Sequence, residues 1–202
     1  MMLNDKIFDA AILCGGASSR MGRDKALLEL GGRKFISILA DELSDFGRLF
    51  LSCGEKDGYE GICAEPVQDI YPGCGPASGI HSILNASCAD GVFFVPCDVP
   101  FFSREGAVML CSKLSGEYDA VVVREGERLH PLTAVYSKSC LPVLESCIVS
   151  GTYRIGTILE QLRVCYVSSE ELPGGSMDIM NINTIEDYGD AVRRADSDVL
   201  QP

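Results

Sequence analysis

The sequence predicts an α/β protein, a three-layer sandwich whose central sheet is mainly parallel. Short apolar runs of strand length alternate along the chain with segments whose apolar residues recur at helical spacing. The segments richest in glycine, lysine, arginine and aspartate follow strand-like runs, which is where ligands gather in an open parallel sheet.

Each element has its own signal. Residues 8–14 are apolar except for Asp9 and end at Gly15 and Gly16, which reads as a buried first strand. Phe35, Ile38, Leu39, Leu43 and Phe46 predict a helix that stops before Gly47, and residues 49–53 predict the second strand. Residues 62–67 form a third, weaker strand. Pro76 opens a helix through Ile80, Ile83 and Leu84, at a position where its missing N–H is no loss. Residues 92–95 are the clearest central strand. Beyond it the pattern predicts a helix near 103–115, strands at 120–123 and 132–136, helices near 138–149 and 154–162, a strand at 164–167 and a last helix from about Thr184. No linker or low-complexity stretch divides the 202 residues, so one domain spanning 1–202 is expected.

Composition bounds the function. A net charge of -12 argues against a nucleic-acid partner, because a polyanion needs a broad basic face. No apolar run reaches the roughly 20 residues that span a bilayer, and residues 4–6 do not begin a signal peptide, so a cytoplasmic protein away from membranes is expected. The ten cysteines contain no Cys-x-x-Cys pair; Cys14, Cys53 and Cys97 lie in or beside apolar runs and read as small buried hydrophobes.

Against that acidic background one stretch stands out. Arg20, Arg23, Lys25, Arg33 and Lys34 place five of the 17 basic residues within fifteen positions, directly after the first strand and its glycine pair. Glycines let main-chain N–H groups approach an anion and the cations neutralise it, so residues 13–25 read as a polyphosphate cradle. Neither the Walker spacing nor the Gly-x-Gly-x-x-Gly fingerprint is present. Asp98 sits at the mouth of the 92–95 strand between Pro96 and Pro100, where a hard carboxylate oxygen suits magnesium held jointly with substrate phosphates. It could also be a capping loop residue, although Ser103 is available to start the next helix.

Residues 13–25 (LCGGASSRMGRDK) resemble the Leu-Ala-Gly-Gly-x-Ser-x-Arg-Met-Gly-x-Asp-Lys signature of molybdenum cofactor guanylyltransferases. Residues 69–80 (DIYPGCGPASGI), 96–100 (PCDVP), 126–136 (GERLHPLTAVY) and 181–188 (NINTIEDY) resemble further blocks of that family, in order and over nearly the whole chain. The resemblance implies a Rossmann-like nucleotidyltransferase fold and transfer of GMP from magnesium-bound GTP to the terminal phosphate of molybdopterin or molybdenum-molybdopterin, with pyrophosphate released. It implies Mg2+ as cofactor, and as further partners the proteins that supply molybdopterin and the molybdoenzymes that receive the product.

By the same resemblance, amides from Leu13, Cys14, Gly15 and Gly16 hold phosphate oxygens. Lys25 and Arg20 stabilise the leaving pyrophosphate, and Asp98 holds the metal. Asp69 belongs to the nucleoside group; its carboxylate could accept from guanine N1–H and N2–H, hold the ribose instead, or shape a turn. Asn181 and Asn183, two apart on an expected strand, share a face and are linked to the pterin side or the metal, with capping of the last helix as the other reading of Asn183. His130 falls near the pterin, or is a structural hydrogen-bonder; His81 has only a structural reading.

Cys14 replaces the commoner alanine, Ser52 stands where the family can present asparagine and carries little weight, and Ile185 replaces a usual proline. Two other readings stand beside this one. A molybdopterin cytidylyltransferase or another small-molecule nucleotidyltransferase would share the loop and the aspartate. A non-catalytic nucleotide-binding regulator would be expected to have lost Lys25 or Asp98, and both are present.

Overall fold

The structure is a computed structural model that describes residues 1–14, 25–54 and 59–198, with side chains through residue 194. Its strands are β1 (Met2–Leu3), β2 (Lys6–Leu13), β3 (Glu29–Leu30), β4 (Arg33–Lys34), β5 (Leu49–Ser52), β6 (Glu65–Pro66), β7 (Gly91–Pro96), β8 (Ala120–Glu125), β9 (Arg128–Ser137) and β10 (Val164–Ser168). Its α-helices are α1 (Phe35–Glu42), α2 (Pro76–Ala86), α3 (Arg104–Ser112), α4 (Leu141–Val149), α5 (Ile155–Leu159) and α6 (Ile185–Asp198). The main sheet has the order β10-β8-β9-β7-β2-β5-β6, with β1 beside β2. β10, β8, β7, β2, β5 and β6 run parallel, and β9 runs against both of its neighbours.

Strand alternation sends residues to two helical layers. From β2 and β7, Phe8, Ile12, Phe93 and Val95 pack with Ile36, Leu39 and Leu110 of α1 and α3. Ala11, Leu13, Val92 and Phe94 pack instead with Ile80, Leu84, Leu144 and Ile158 of α2, α4 and α5. Both faces of the central strands are therefore covered, which is why they read as near-continuous apolar runs, broken in β2 only by Asp9. Cys14, Cys53 and Cys97 are buried among the first set. Among the described residues no helix is long and apolar enough to cross a membrane.

The polar interruption in β2 is a structural anchor. Asp9 is buried, and its carboxylate accepts from the Arg48 amide at 2.9 Å and the Ser87 hydroxyl at 2.6 Å. A Cβ on Gly47 would lie 2.7 Å from Asp9 Oδ1, so the chain can pass that carboxylate only as glycine.

Several predicted elements are corrected. The expected strand at 62–67 shrinks to Glu65–Pro66, because Pro66 brings no N–H and the segment lies at the sheet edge. The strand expected at 132–136 runs from Arg128 to Ser137, antiparallel, because Gly126 at φ +55° turns β8 back on itself within two residues. Residues 138–140 are a 3₁₀ turn ahead of α4, and α5 covers only Ile155–Leu159. Ser103 does start the next helix, its hydroxyl accepting from the Gly106 amide at 3.2 Å.

One ion pair ties the far edge of the sheet together. Arg163 forks onto Asp119 through Nε at 3.0 Å and Nη2 at 2.8 Å, and its own amide donates to the same carboxylate at 3.0 Å. The Arg163 guanidinium pulls the Asp119 carboxyl from its ordinary 3.8 down to about 2. A carboxyl depressed by folding contributes stability that is present above its unfolded pKa and lost as pH falls through the folded one. Asp119→Asn is therefore expected to lower stability at pH 7 by on the order of 1 kcal/mol, the guanidinium being exposed, and to flatten the loss between about pH 4 and pH 2. Thermal melts of both proteins across that range check it.

Candidate active site

The carboxyl ends of β2, β5 and β7 open into a crevice of about 540 Å³. The three ends are locked in register: the Cys97 amide donates to Leu13 O at 3.1 Å and the Cys14 amide to Ser52 O at 2.9 Å. Leu13, Cys14, Lys25, Asp69, Asp98 and Asn181 of the predicted set all line this crevice. Gly15, Gly16 and Arg20 lie outside the described residues.

At its floor Lys25 and Asp98 meet. Lys25 begins a 3₁₀ turn anchored by fully buried Ala26, and its ammonium donates to Asp98 Oδ2 at 3.1 Å and to Asn183 Oδ1 at 2.5 Å. Both side chains of the ion pair are 17% exposed. Asp98 follows β7, and its carbonyl accepts from the Ile182 amide at 2.8 Å. That bond, with Ile182 fully buried, pins residues 181–183 over the end of the strand.

The expected strand through Asn181 and Asn183 is not formed; the segment is irregular. The alternation survives locally because Ile182 is driven inward between the two asparagines. Capping of the last helix falls to other residues. Thr184 Oγ1 accepts from the Asp187 amide, and Asp187 Oδ2 accepts from the Asn183 and Thr184 amides at 2.9 Å each. Those backbone donors, the Asn183 amide first, hold the Asp187 carboxyl below its ordinary value. Asn183 is thus a Lys25 partner and not the cap.

Asp69 stands on the β5–β6 flank of the crevice, and partial burial raises its carboxyl pKa. Two hydroxyls on α2 seat its segment: Ser82 Oγ accepts from the Ile70 amide at 2.8 Å and Ser78 Oγ from the Tyr71 amide at 3.2 Å. Gly75, at φ +62°, makes the turn into Pro76. Ser52, given little weight from sequence, is buried in the same flank, and a Cβ on Gly79 would lie 2.7 Å from its hydroxyl. Ser78 and Ser82 were missed because they sit inside a helical pattern; their shared face toward residues 69–71 is visible only in three dimensions.

The opposite flank is Arg128–Thr133 of β9, including His130. His81 lies elsewhere, buried edge-on against Tyr71 with ring centroids 5.2 Å apart.

A divalent cation fits this floor. Asp98 Oδ1 is buried and has no hydrogen-bond partner among the described residues, while Oδ2 is held by Lys25. A hard anionic oxygen withdrawn from water suits an ion that takes one carboxylate and draws its other ligands from water and phosphate. Among the described residues no group of three or more His, Cys, Asp or Glu is arranged to hold a metal.

Comparison with known proteins identifies the family and the fold. The MobA-like NTP transferase domain family matches residues 10–165. The chain is 36% identical over 180 residues to a Pelotomaculum thermopropionicum protein named "probable molybdenum cofactor guanylyltransferase", covering 87% of each. It is 32% identical over 197 residues to a Clostridium perfringens protein of the same name, covering 92% of this chain and 96% of that one. The crystal structure of molybdopterin-guanine dinucleotide biosynthesis protein A from Archaeoglobus fulgidus matches with a TM-score of 0.81 at 26% identity, covering 94% of this chain and 99% of that one. 2-C-methyl-D-erythritol 4-phosphate cytidylyltransferase from Thermus thermophilus, at 16% identity and a TM-score of 0.68 over 92% of this chain and 98% of that one, shares the fold. With a Rossmann-like fold, a family match over three quarters of its length and relatives above 30% identity across most of it, the chain belongs to the MobA-like NTP transferase family and is a nucleotidyltransferase.

Proposed function

We propose that this enzyme transfers GMP from Mg-GTP to the terminal phosphate of molybdopterin, giving the guanine dinucleotide and pyrophosphate. The observation that carries the reading is the meeting of the Lys25 ammonium and the Asp98 carboxylate at the floor of one crevice, where the ends of β2 and β7 adjoin. The names of the relatives point to the same nucleotide and acceptor.

In this reading no protein nucleophile is needed. The acceptor phosphate attacks the α-phosphorus, and the enzyme positions the reactants and neutralises charge. Lys25, oriented by Asn183, lies against the phosphates and stabilises the negative charge that develops on the leaving pyrophosphate. Asp98 would hold magnesium through the oxygen that lacks a protein partner. Bound there, the ion supplies Lewis-acid neutralisation of phosphate charge. The glycine pair at 15–16 and Arg20 complete the phosphate cradle on sequence grounds.

Asp69 is assigned to the guanine edge. Its raised pKa reflects partial loss of water, so a donor pair from the base would be well rewarded there. Incubating the protein with Mg-GTP and molybdopterin and separating the products tests the reaction; no dinucleotide and no pyrophosphate would overturn it. Asp69→Ala is expected to reduce the preference for GTP over CTP and ATP at least about tenfold, roughly what one buried charged hydrogen bond provides. An unchanged preference removes Asp69 from base recognition.

A further inference from the structure

The main sheet has two edges, and they differ in chemistry. At one edge β6 is only two residues long, and both discourage pairing: Pro66 has no N–H to offer, and the Glu65 carboxylate is held by Arg48. At the other edge β10 runs for five residues, Val164-Cys-Tyr-Val-Ser168, with no proline and no charge among them. Tyr166, near its middle, is 44% exposed. An edge without such protection offers its open N–H and C=O groups to another strand.

Pairing with β8 fixes which groups are open. Arg163 O accepts from the Asp119 and Ala120 amides at 2.8 and 3.3 Å, and Val164 lies opposite Ala120. In a parallel ladder of that register the main chain of Cys165 and Val167 faces β8, and that of Val164, Tyr166 and Ser168 faces outward. Ser168 is already engaged: its amide donates to Glu171 Oε1 at 3.1 Å, and it caps the 3₁₀ turn at Ser169–Glu171. Among the described residues, the N–H and C=O of Val164 and of Tyr166 are left without partners.

These four groups are complementary to their own copy. In an antiparallel ladder two residues exchange both of their bonds, so Val164 of one chain and Tyr166 of another satisfy each other, and a two-fold axis through Cys165 repeats the exchange. All four open groups of each chain are then used. An axis through Val164 or Tyr166 would use fewer, because it leaves a partner facing the engaged Ser168 or pairs a residue only with itself. Val164 and Tyr166 share a face of the strand, so the same register sets the Tyr166 ring beside the Val164 side chain of the other copy. In a chain of net charge -12, an uncharged strand also lets two copies meet with no like charges opposed within it. We infer that β10 is a homodimer interface, at which two copies join their sheets edge to edge around Cys165. β10 runs parallel to β2 and β7, so the two crevices open in opposite directions and each remains complete within one chain.

Sedimentation of the full chain over a concentration series under reducing conditions tests the interface. A dimer is expected to be populated by about 100 µM, as for a small interface. Tyr166→Lys, which puts a charge on the edge at an exposed position, is expected to weaken it at least about tenfold without lowering the melting temperature. The register is read without any variant. Opposed residues at a non-hydrogen-bonded position have Cα atoms about 4.5 Å apart, within disulfide range. Diamide, which takes up the two protons and two electrons, is therefore expected to link Cys165 to Cys165 of the second copy, as mapped by mass spectrometry of the digested dimer. Cys165→Ser should remain dimeric and lose that link. A monomer at about 100 µM, a dimer that folded Tyr166→Lys leaves intact, or a dimer whose Cys165 thiols do not join each other overturns the proposal. If Tyr166→Lys does not fold, the Cys165 link in the wild type decides alone.

Discussion

Asp98→Asn is expected to lower nucleotidyl transfer about a thousandfold while leaving the melting temperature within a few degrees of wild type. The side chain keeps its size, but one oxygen becomes an N–H group. The amide can no longer offer two anionic oxygens, and it meets the Lys25 ammonium at 3.1 Å with half its former acceptor capacity. Removing the carboxylate that is proposed to anchor the metal forfeits several kcal/mol of charge stabilisation, and each 1.4 kcal/mol is a factor of ten in rate. Folding has little to lose, since Asp98 Oδ1 is buried without a hydrogen-bond partner among the described residues and is already unfavourable there. Rate against magnesium concentration, together with a thermal melt, tests both halves. A variant that keeps near-wild-type turnover would take Asp98 out of the chemistry.

Lys25→Ala is the second large effect, with an expected loss of about 10²- to 10³-fold, mostly in kcat. That is the range found when one donor aimed at developing negative charge is removed. Two contacts hold the ammonium in place, Asp98 Oδ2 at 3.1 Å and Asn183 Oδ1 at 2.5 Å, so it is oriented before substrate arrives. Lys25→Arg should recover little, because a planar guanidinium does not fit where a compact ammonium bridges two oxygens. Asn183→Ala should fall between wild type and Lys25→Ala, since it frees the ammonium without deleting it. The Asp98→Asn, Lys25→Ala double variant should lose less than the product of the single losses, because the two groups touch and act on one charge. Single-turnover rates at saturating Mg-GTP are the measurement. A fully additive double variant would argue that the two residues act independently.

Much of this site was legible along the chain. Leu13 and Cys14 end an apolar run, Asp98 follows another, and both runs are central strands because β2 and β7 are apolar on both faces. The meaning of the last block was less accessible. Asn181-Ile-Asn-Thr184 has the alternation of a strand, yet it forms none, because the Ile182 amide donates to the Asp98 carbonyl and the Asn183 and Thr184 amides to the Asp187 carboxylate, not to a neighbouring strand. Nor was the capping of α6 evident, since Asn183, Thr184 and Asp187 are all competent caps and only their placement divides the work between them.

By itself the sequence determined the layered α/β class, the strands whose ends carry chemistry, and the residue types a phosphate-transfer site requires. Those are consequences of local pattern: apolar runs, glycine punctuation, and charges in an otherwise acidic chain. The antiparallel return of β9 and the bridge from Lys25 to Asn183 were decided by tertiary structure. Each joins groups by a contact that depends on how strands register and on what burial leaves unpaired, and spacing along the chain does not encode either one.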